Sequence, residues 1–135
     1  MMPYDNREVV LRLAVADIGL ALGDAVWAEV NPALRGKAWC GAWVLSKLRQ
    51  AGLTNATWTM GSGFVAKLRL PLTTKPQPGD IAYWDQPRQH FALVESVDPL
   101  VTLDGNSTGG VVRRKTHLSG AGPLFYSIAK LADRS

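Results

Sequence analysis

The chain of 135 residues contains one cysteine and two histidines. A single cysteine cannot form a disulfide within the chain, so folding must depend on an apolar core that a reducing compartment would leave intact. With so few thiol and imidazole groups, no convincing set of zinc ligands can be assembled. The sequence therefore predicts no disulfide scaffold, no metal site and no cofactor.

Long apolar runs and strongly basic tracts are also missing. The stretch 18–27 is broken by Gly19, Gly23 and Asp24, so it cannot span a bilayer, and the polar, acidic first residues do not resemble a secretory signal. Lys and Arg outnumber Asp and Glu by only 15 to 11, and no basic run exceeds residues 113–115. We therefore expect neither a membrane nor a nucleic acid as partner, and synthesis in the cytoplasm without a signal peptide.

The composition, 47% hydrophobic and 19% charged, is typical of a folded protein, and the length fits one domain over residues 1–135. The patterns predict helices over residues 5–22 and 39–51, a loop over 54–75, and strands over 81–84, 91–97, 100–103, 110–113 and 124–131. Asp80 is expected to brace the turn before the first strand. Helices followed by an antiparallel meander predict an α+β fold.

Cys40 lies at the N-terminal end of the clearest predicted helix. Unpaired N–H groups and the helix dipole at such a position favour the thiolate over the thiol. The surrounding Trp39-Cys40-Gly41-Ala42-Trp43 contains small residues that would leave room for a substrate. The competing interpretation, a small buried hydrophobe, is common for a lone cysteine.

His90 follows a polar loop and opens the strand Phe91-Ala92-Leu93-Val94. At the beginning of a strand its ring would be held rigidly and could face a helix end, as a general base for Cys40 must. The other histidine, His117, lies in a basic segment that is predicted to be a solvated turn. His90 is therefore the predicted base, and His117 is not.

A histidine base needs a partner that fixes its tautomer. Asp104 and Asn106 follow the third predicted strand, two residues apart, and would share a face if the backbone stayed extended. Asp-Gly and Gly-Asn are also ordinary turn dipeptides. Taken alone, the dipeptides favour the turn interpretation. If either residue orients His90, the carboxylate of Asp104 would add charge stabilisation that the amide of Asn106 lacks.

Four segments follow one another along the chain: Trp39-Cys40-Gly41-Ala42-Trp43-Val44, Pro78-Gly79-Asp80-Ile81-Ala82-Tyr83-Trp84, His90-Phe91-Ala92-Leu93-Val94-Glu95 and Leu103-Asp104-Gly105-Asn106-Ser107. In this order they resemble the CHAP (cysteine, histidine-dependent amidohydrolase/peptidase) and NlpC-type peptidoglycan hydrolases, in particular phage-type members. Gln89 takes the place of the glycine that usually precedes the family's histidine. The resemblance extends from Trp39 to the C-terminus.

The resemblance implies a papain-like α+β fold, with the nucleophile helix packed on the sheet, and cleavage of peptide or amide bonds in peptidoglycan. Cys40 would be the nucleophile and His90 the base, with Asp104 or Asn106 as orienting group and N–H groups at the helix start as oxyanion donors. The candidate substrate contacts are Trp39, Trp84, Asp85 and Arg88. Trp43 and Trp58 are further groove candidates, although Trp43 fits the core better.

Peptidoglycan is the expected substrate, reached through a holin, a phage tail or a secretion device. The expected protein partners are those of a phage tail or secretion apparatus, or an immunity protein. Two alternatives stay open on the sequence alone. One is a catalytically inactive wall-binding or virion structural protein on the same fold, and the other is a cytosolic cysteine amidase or transferase.

Overall fold

The computed structural model describes residues 5–59, 63–118 and 122–131. Within these ranges the helices are α1 (Asn6–Val15), α2 (Gly23–Val30), a 3-10 turn (Pro32–Leu34), α3 (Cys40–Gln50) and α4 (Gly63–Lys67). The strands are β1 (Ile81–Trp84), β2 (His90–Val97), β3 (Leu100–Asp104), β4 (Arg113–His117) and β5 (Leu124–Tyr126). None of the described helices is long and apolar enough to cross a bilayer.

The strands form one sheet in the order β4-β3-β2-β1-β5, and all neighbours are antiparallel. The N-terminal helices pack on this sheet, and α3 contacts α1, α2 and β2. The predicted α+β class is therefore confirmed, as is the antiparallel arrangement of the strands.

Helix α3 forms the centre of the core. Residues 41–48 are all buried, and Trp43, Leu45 and Leu48 are fully so. A helix that is buried on every side must be covered by several elements, and full burial of each large apolar side chain contributes about 1.5–3 kcal/mol. The predicted helix over 39–51 is confirmed to within a residue at each end.

Helix α1 is shorter than predicted. Asp5 caps its start, because its carboxylate accepts from the Arg7 N–H at 2.8 Å. The predicted helix through residue 22 is wrong, since the chain leaves the helix after Val15 and runs beside Val112. Gly19 donates its N–H to the Val112 carbonyl at 2.8 Å and has a φ of 88°, a conformation that favours glycine.

The stretch 54–75, predicted as loop, contains the short helix α4. Its Phe64 and Val65 are buried, and the Phe64 ring packs 4.9 Å from that of Phe91 and 5.2 Å from that of Trp58. A helix of five residues is not stable by itself, and the burial of these two apolar side chains stabilises it here.

Two strand predictions needed correction. The strand predicted over 110–113 begins at Arg113, because Gly109 and Gly110 have φ values of 83° and 71° and form a turn. The strand predicted over 124–131 ends at Tyr126, after which the chain turns and the Ile128 N–H donates to Asp80 Oδ1 at 3.2 Å. Asp80 also accepts from the Gln77 N–H at 2.8 Å, which confirms that it braces the turn before β1.

A buried ion pair connects α3 to the segment after α1. Lys47, only 4% exposed, donates to Asp17 Oδ2 at 2.5 Å and to Gln50 Oε1 at 2.8 Å. Trp43 Nε1 donates to the same Asp17 oxygen at 3.0 Å. Each of these polar groups thus has a partner, as burial requires.

Candidate active site

Cys40 is the first residue of α3, and Trp39 before it makes no side-chain capping hydrogen bond. The first N–H groups of an α-helix have no partner inside the helix, so they remain available to a negatively charged group. The backbone N–H groups of Phe91 and Gly41 also donate to the Cys40 sulfur. The thiol therefore lies where partial positive charge favours the thiolate.

The space beside Gly41 is filled by protein. A Cβ atom at this position would lie 2.4 Å from the Trp58 ring and 2.9 Å from the Phe91 ring. The expectation that a small residue here leaves room for substrate is therefore wrong. Gly41 instead lets the aromatic cluster of Trp58, Phe64 and Phe91 pack against the start of α3, and Trp58 belongs to the core.

His90 is the first residue of β2, where it pairs with Trp84 of β1. Its Nε2 lies 2.5 Å from Asp104 Oδ2, and its ring is hydrogen-bonded to the Cys40 side chain. Because Nε2 is committed to Asp104, Nδ1 is the nitrogen left for the sulfur. The fold thus brings together three predicted site residues from the start of α3, the start of β2 and the end of β3.

The pKa shifts of Cys40 and His90 both favour transfer of the thiol proton to the imidazole. Burial raises the pKa of the Cys40 thiol, but the hydrogen bonds from His90, Phe91 and Gly41 bring it below its usual value. Burial lowers the pKa of His90, whereas the bonds to Asp104 and Cys40 outweigh it and raise that pKa to about 9. Both shifts therefore favour the form of the pair in which the proton rests on the imidazole and the sulfur is a thiolate.

Asp104 and Asn106 occupy different places. Asp104 is the last residue of β3, is only 2% exposed and bonds to His90. Asn106 is exposed on the following turn and has a φ of 53°. The extended backbone that would put both on one face ends at Asp104, so the structure joins Asp104, and not Asn106, to the imidazole.

A cavity of about 370 Å³ opens beside His90. Its lining includes two of the predicted substrate contacts, Trp84 and Arg88, as well as Asn106, Lys115 and His117. Among the described residues of the lining Asp104 is the one acidic group, and its oxygens are taken by His90 and Thr102. The cations Arg88 and Lys115 therefore give this cavity a positive character.

The other predicted contacts lie elsewhere. Trp39 lines a second cavity of about 330 Å³ with Asp24 and Lys37, and Asn106 lines both cavities. Asp85 accepts a hydrogen bond from the Tyr83 hydroxyl at 3.1 Å and is not part of either lining. Trp43 is fully buried, as the sequence suggested.

Sequence reasoning missed Thr102 and His117. His117 is not a solvated turn residue: it ends β4, its Nε2 lies 2.8 Å from Thr102 Oγ1, and its ring stacks on Trp84 with centroids 5.0 Å apart. Thr102 in turn donates to Asp104 Oδ1 at 2.5 Å. A strand placed over 113–117 would have revealed His117 by alternation, whereas a threonine in a strand carries no signal of its own.

Among the described residues, no group of three or more His, Cys, Asp or Glu side chains is arranged to hold a metal ion. Comparisons of this chain with family models, with curated proteins and with solved structures give no match. The interpretation of the site therefore depends on its own geometry and chemistry.

Proposed function

We propose that this chain is a papain-like cysteine hydrolase of the CHAP and NlpC type, which cleaves peptide or amide bonds in bacterial peptidoglycan. One observation carries the proposal: Cys40 at an uncapped helix start is hydrogen-bonded to His90, which is hydrogen-bonded to the buried Asp104. This kind of covalent catalysis requires a nucleophile that is hydrogen-bonded to a base, and a base that is hydrogen-bonded to an orienting group. The order of the four resembling segments along the chain supports the choice of this family.

In this mechanism the Cys40 thiolate attacks the carbonyl carbon of the scissile bond. Free N–H groups at the start of α3, including that of Cys40 itself, stabilise the oxyanion of the tetrahedral intermediate. When the C–N bond breaks, His90 donates its Nδ1 proton to the leaving amine, and an acyl-enzyme thioester remains. Water then attacks the thioester while His90 accepts its proton, and the free acid and the ion pair are restored.

Asp104 keeps the imidazole in the orientation that this cycle needs. With Nε2–H donated to Oδ2 of Asp104, Nδ1 is the nitrogen that exchanges protons with the sulfur and the leaving group. The carboxylate also stabilises the imidazolium. Because Asp104 is 2% exposed, water does not compete for this hydrogen bond.

The cavity beside His90 supports a peptidoglycan substrate. Stem peptides carry free carboxylates, and the cavity offers Arg88 and Lys115 as cations, Asn106 as a polar contact and Trp84 as an apolar wall. A carboxylate close to the scissile bond would therefore be drawn to this side of the site. Replacing both cations, as in Arg88→Gln with Lys115→Gln, is expected to raise KM more than it lowers kcat.

The experiment that tests the proposal is digestion of purified peptidoglycan, with the released fragments identified by mass spectrometry. We expect new amino and carboxyl termini at one type of stem-peptide or amide bond. Protein alkylated at Cys40 with iodoacetamide is the matched control and should release nothing. Intact peptidoglycan after prolonged digestion, or equal release by the alkylated protein, would overturn the proposal.

A further inference from the structure

The mechanism above leaves two polar side chains beside Asp104 without a role, Thr102 and His117. Thr102 is 0% exposed, and its hydroxyl lies between Asp104 Oδ1, at 2.5 Å, and His117 Nε2, at 2.8 Å. Together with the His90 bond, these contacts form one continuous chain from β4 through β3 to the nucleophile. The chain is made of side chains from four separate elements.

The register of the sheet explains how these side chains meet. Paired residues share a face, and so do residues two apart on one strand. Leu100 pairs with His117, which puts His117 on the face of Thr102 and Asp104. Val94 pairs with Thr102, which puts His90 on that face as well.

The proton positions along this chain follow from the groups themselves. A threonine hydroxyl has one proton, and a carboxylate only accepts, so Thr102 donates to Asp104. The Thr102 oxygen must then accept from His117, which requires a proton on His117 Nε2. Asp104 therefore receives one donor on each oxygen, His90 on Oδ2 and Thr102 on Oδ1.

Stacking holds the His117 ring in place. Trp84 packs on it with an interplanar angle of 29°, and the same indole lies 5.7 Å from the His90 ring. Within the part of the chain that the structure describes, three groups that can be charged act on His117, namely Asp104 of β3, His90 of β2 and Lys115 of its own strand. Burial, Lys115 and His90 lower the pKa of His117 and outweigh Asp104, so the ring is neutral at pH 7.

We propose that His117 is a positioning residue for the cysteine centre, acting through Thr102 to keep the Asp104 carboxylate aligned with His90. The proposal rests on the function proposed above only in its choice of nucleophile. Without the His117 donor, the Thr102 hydroxyl can rotate away, the carboxylate loses one of its two donors, and the imidazolium is held less firmly. The fraction of Cys40 present as thiolate at neutral pH should then fall.

The test measures the rate of Cys40 alkylation by iodoacetamide from pH 4 to 10, which reports the thiolate without any peptidoglycan. His117→Phe keeps a stacking ring but has no donor, and Thr102→Val keeps the shape of the side chain but has no hydroxyl. Each should raise the apparent pKa of the thiol by about one unit, the effect of one hydrogen bond to a charged group, and slow alkylation by roughly tenfold at pH values below that pKa. His117→Gln and Thr102→Ser keep a donor and a hydroxyl and should be close to the unchanged protein.

The matched control is Thr116→Val, an exposed threonine on the other face of β4, which should leave the alkylation profile unchanged. In an Asp104→Asn background, the additional effect of His117→Phe should largely disappear, because the group that transmits it has changed. Folded His117→Phe and Thr102→Val proteins that alkylate at the original rate or faster would overturn the proposal.

A measurement on the unchanged protein guards against variants that fail to fold. Nitrogen NMR of the two imidazole rings at pH 7 should place the His117 proton on Nε2. A proton on Nδ1 alone would overturn the proposal without any substitution. If wall digestion fails while the alkylation and NMR results are as expected, the substrate is wrong and the positioning role stands.

Discussion

Helix α3 contributes to two largely buried polar networks, one at its start and one in its second half, and the two differ in whether they face a cavity. At the start of α3, Cys40, His90 and Asp104 form a hydrogen-bonded chain beside a cavity of about 370 Å³. In its second half, Lys47 and Asp17 form an ion pair whose remaining bonds are satisfied by Trp43 and Gln50. The first network has the proposed nucleophile and the first N–H groups of a helix, whereas every contact described for the second is made within the protein. Burial of charge alone therefore does not make a site.

The largest expected effect comes from removing the nucleophile. Cys40→Ala should lower peptidoglycan cleavage by at least about a thousandfold, because no acyl-enzyme can form. The free energy of unfolding should change little, since Cys40 is half-buried and the variant loses only one sulfur atom. Turbidity loss of cell-wall suspensions and urea denaturation measure the two quantities. Cleavage that survives in Cys40→Ala would mean that the reaction does not use the thiol.

His90→Ala comes next. It should lower turnover by about 10²–10⁴-fold, because it removes both the partner that keeps the thiol ionised and the acid for the leaving amine. The alkylation rate of Cys40 at pH 7 should fall with it. Gln89→Ala, one residue earlier and outside β2, is the matched control and should retain most of the activity. A similar loss in both variants would point to disruption of the loop rather than to loss of the base.

Asp104→Asn should lower turnover by roughly a hundredfold, because an amide can hold the imidazole but does not stabilise its charge. Asn106→Ala should cost less, since Asn106 lies on the exposed turn and does not bond to His90. Single-turnover and steady-state kinetics on the same wall fragment separate chemistry from binding. Full loss in Asn106→Ala with near-normal turnover in Asp104→Ala would reverse the two assignments.

Whether the sequence alone predicted a site residue depended on where that residue lies in its helix or strand. Cys40, His90 and Asp104 stand at ends of well-marked elements, and their proximity followed from helix and strand patterns and from the resemblance. His117 was missed because the strand was predicted over residues 110–113. The turn at Gly109 and Gly110 makes β4 begin at Arg113 instead, so that His117 lies in the strand and faces the site.

Other features had no local signal at all. Asp17 lies within the segment predicted to continue α1, so its pairing with Lys47 depends on a chain path that only tertiary contacts determine. Lys47 lies near the C-terminal end of α3, where a cation suits the helix dipole, yet it is buried. The role of Gly41, which accommodates Trp58 and Phe91, likewise depends on partners distant in sequence.

The pH dependence of turnover should reflect the ion pair of the first network. Below the lowered pKa of the thiol, protonation removes the thiolate, and activity falls as the pH drops. Above about 9, His90 loses the proton that the leaving amine needs, and activity should fall about tenfold per pH unit. A profile of kcat/KM against pH measures both limbs. Activity that rises steadily to pH 10 would indicate a neutral thiol that ionises only on binding or at high pH.

The smallest effect on catalysis is expected when the Asp-to-Asn change made at Asp104 is repeated in the network of Lys47. This variant is the most direct test of the comparison between the two networks. Asp17→Asn removes the charge that pairs with Lys47 but keeps an oxygen that can accept from Trp43. Lys47 is 4% exposed and cannot turn to water without opening the core, so its charge is left buried. The loss of one partner of a buried ion pair costs about 3 kcal/mol. We therefore expect urea denaturation to detect a large loss of stability, while turnover of the folded protein at low temperature stays within about twofold.

Lys47→Met in the Asp17→Asn background should recover part of the stability, because it removes the unpaired charge. A variant of normal stability but low turnover would mean that the two networks are coupled through α3, and the distinction between them would fail.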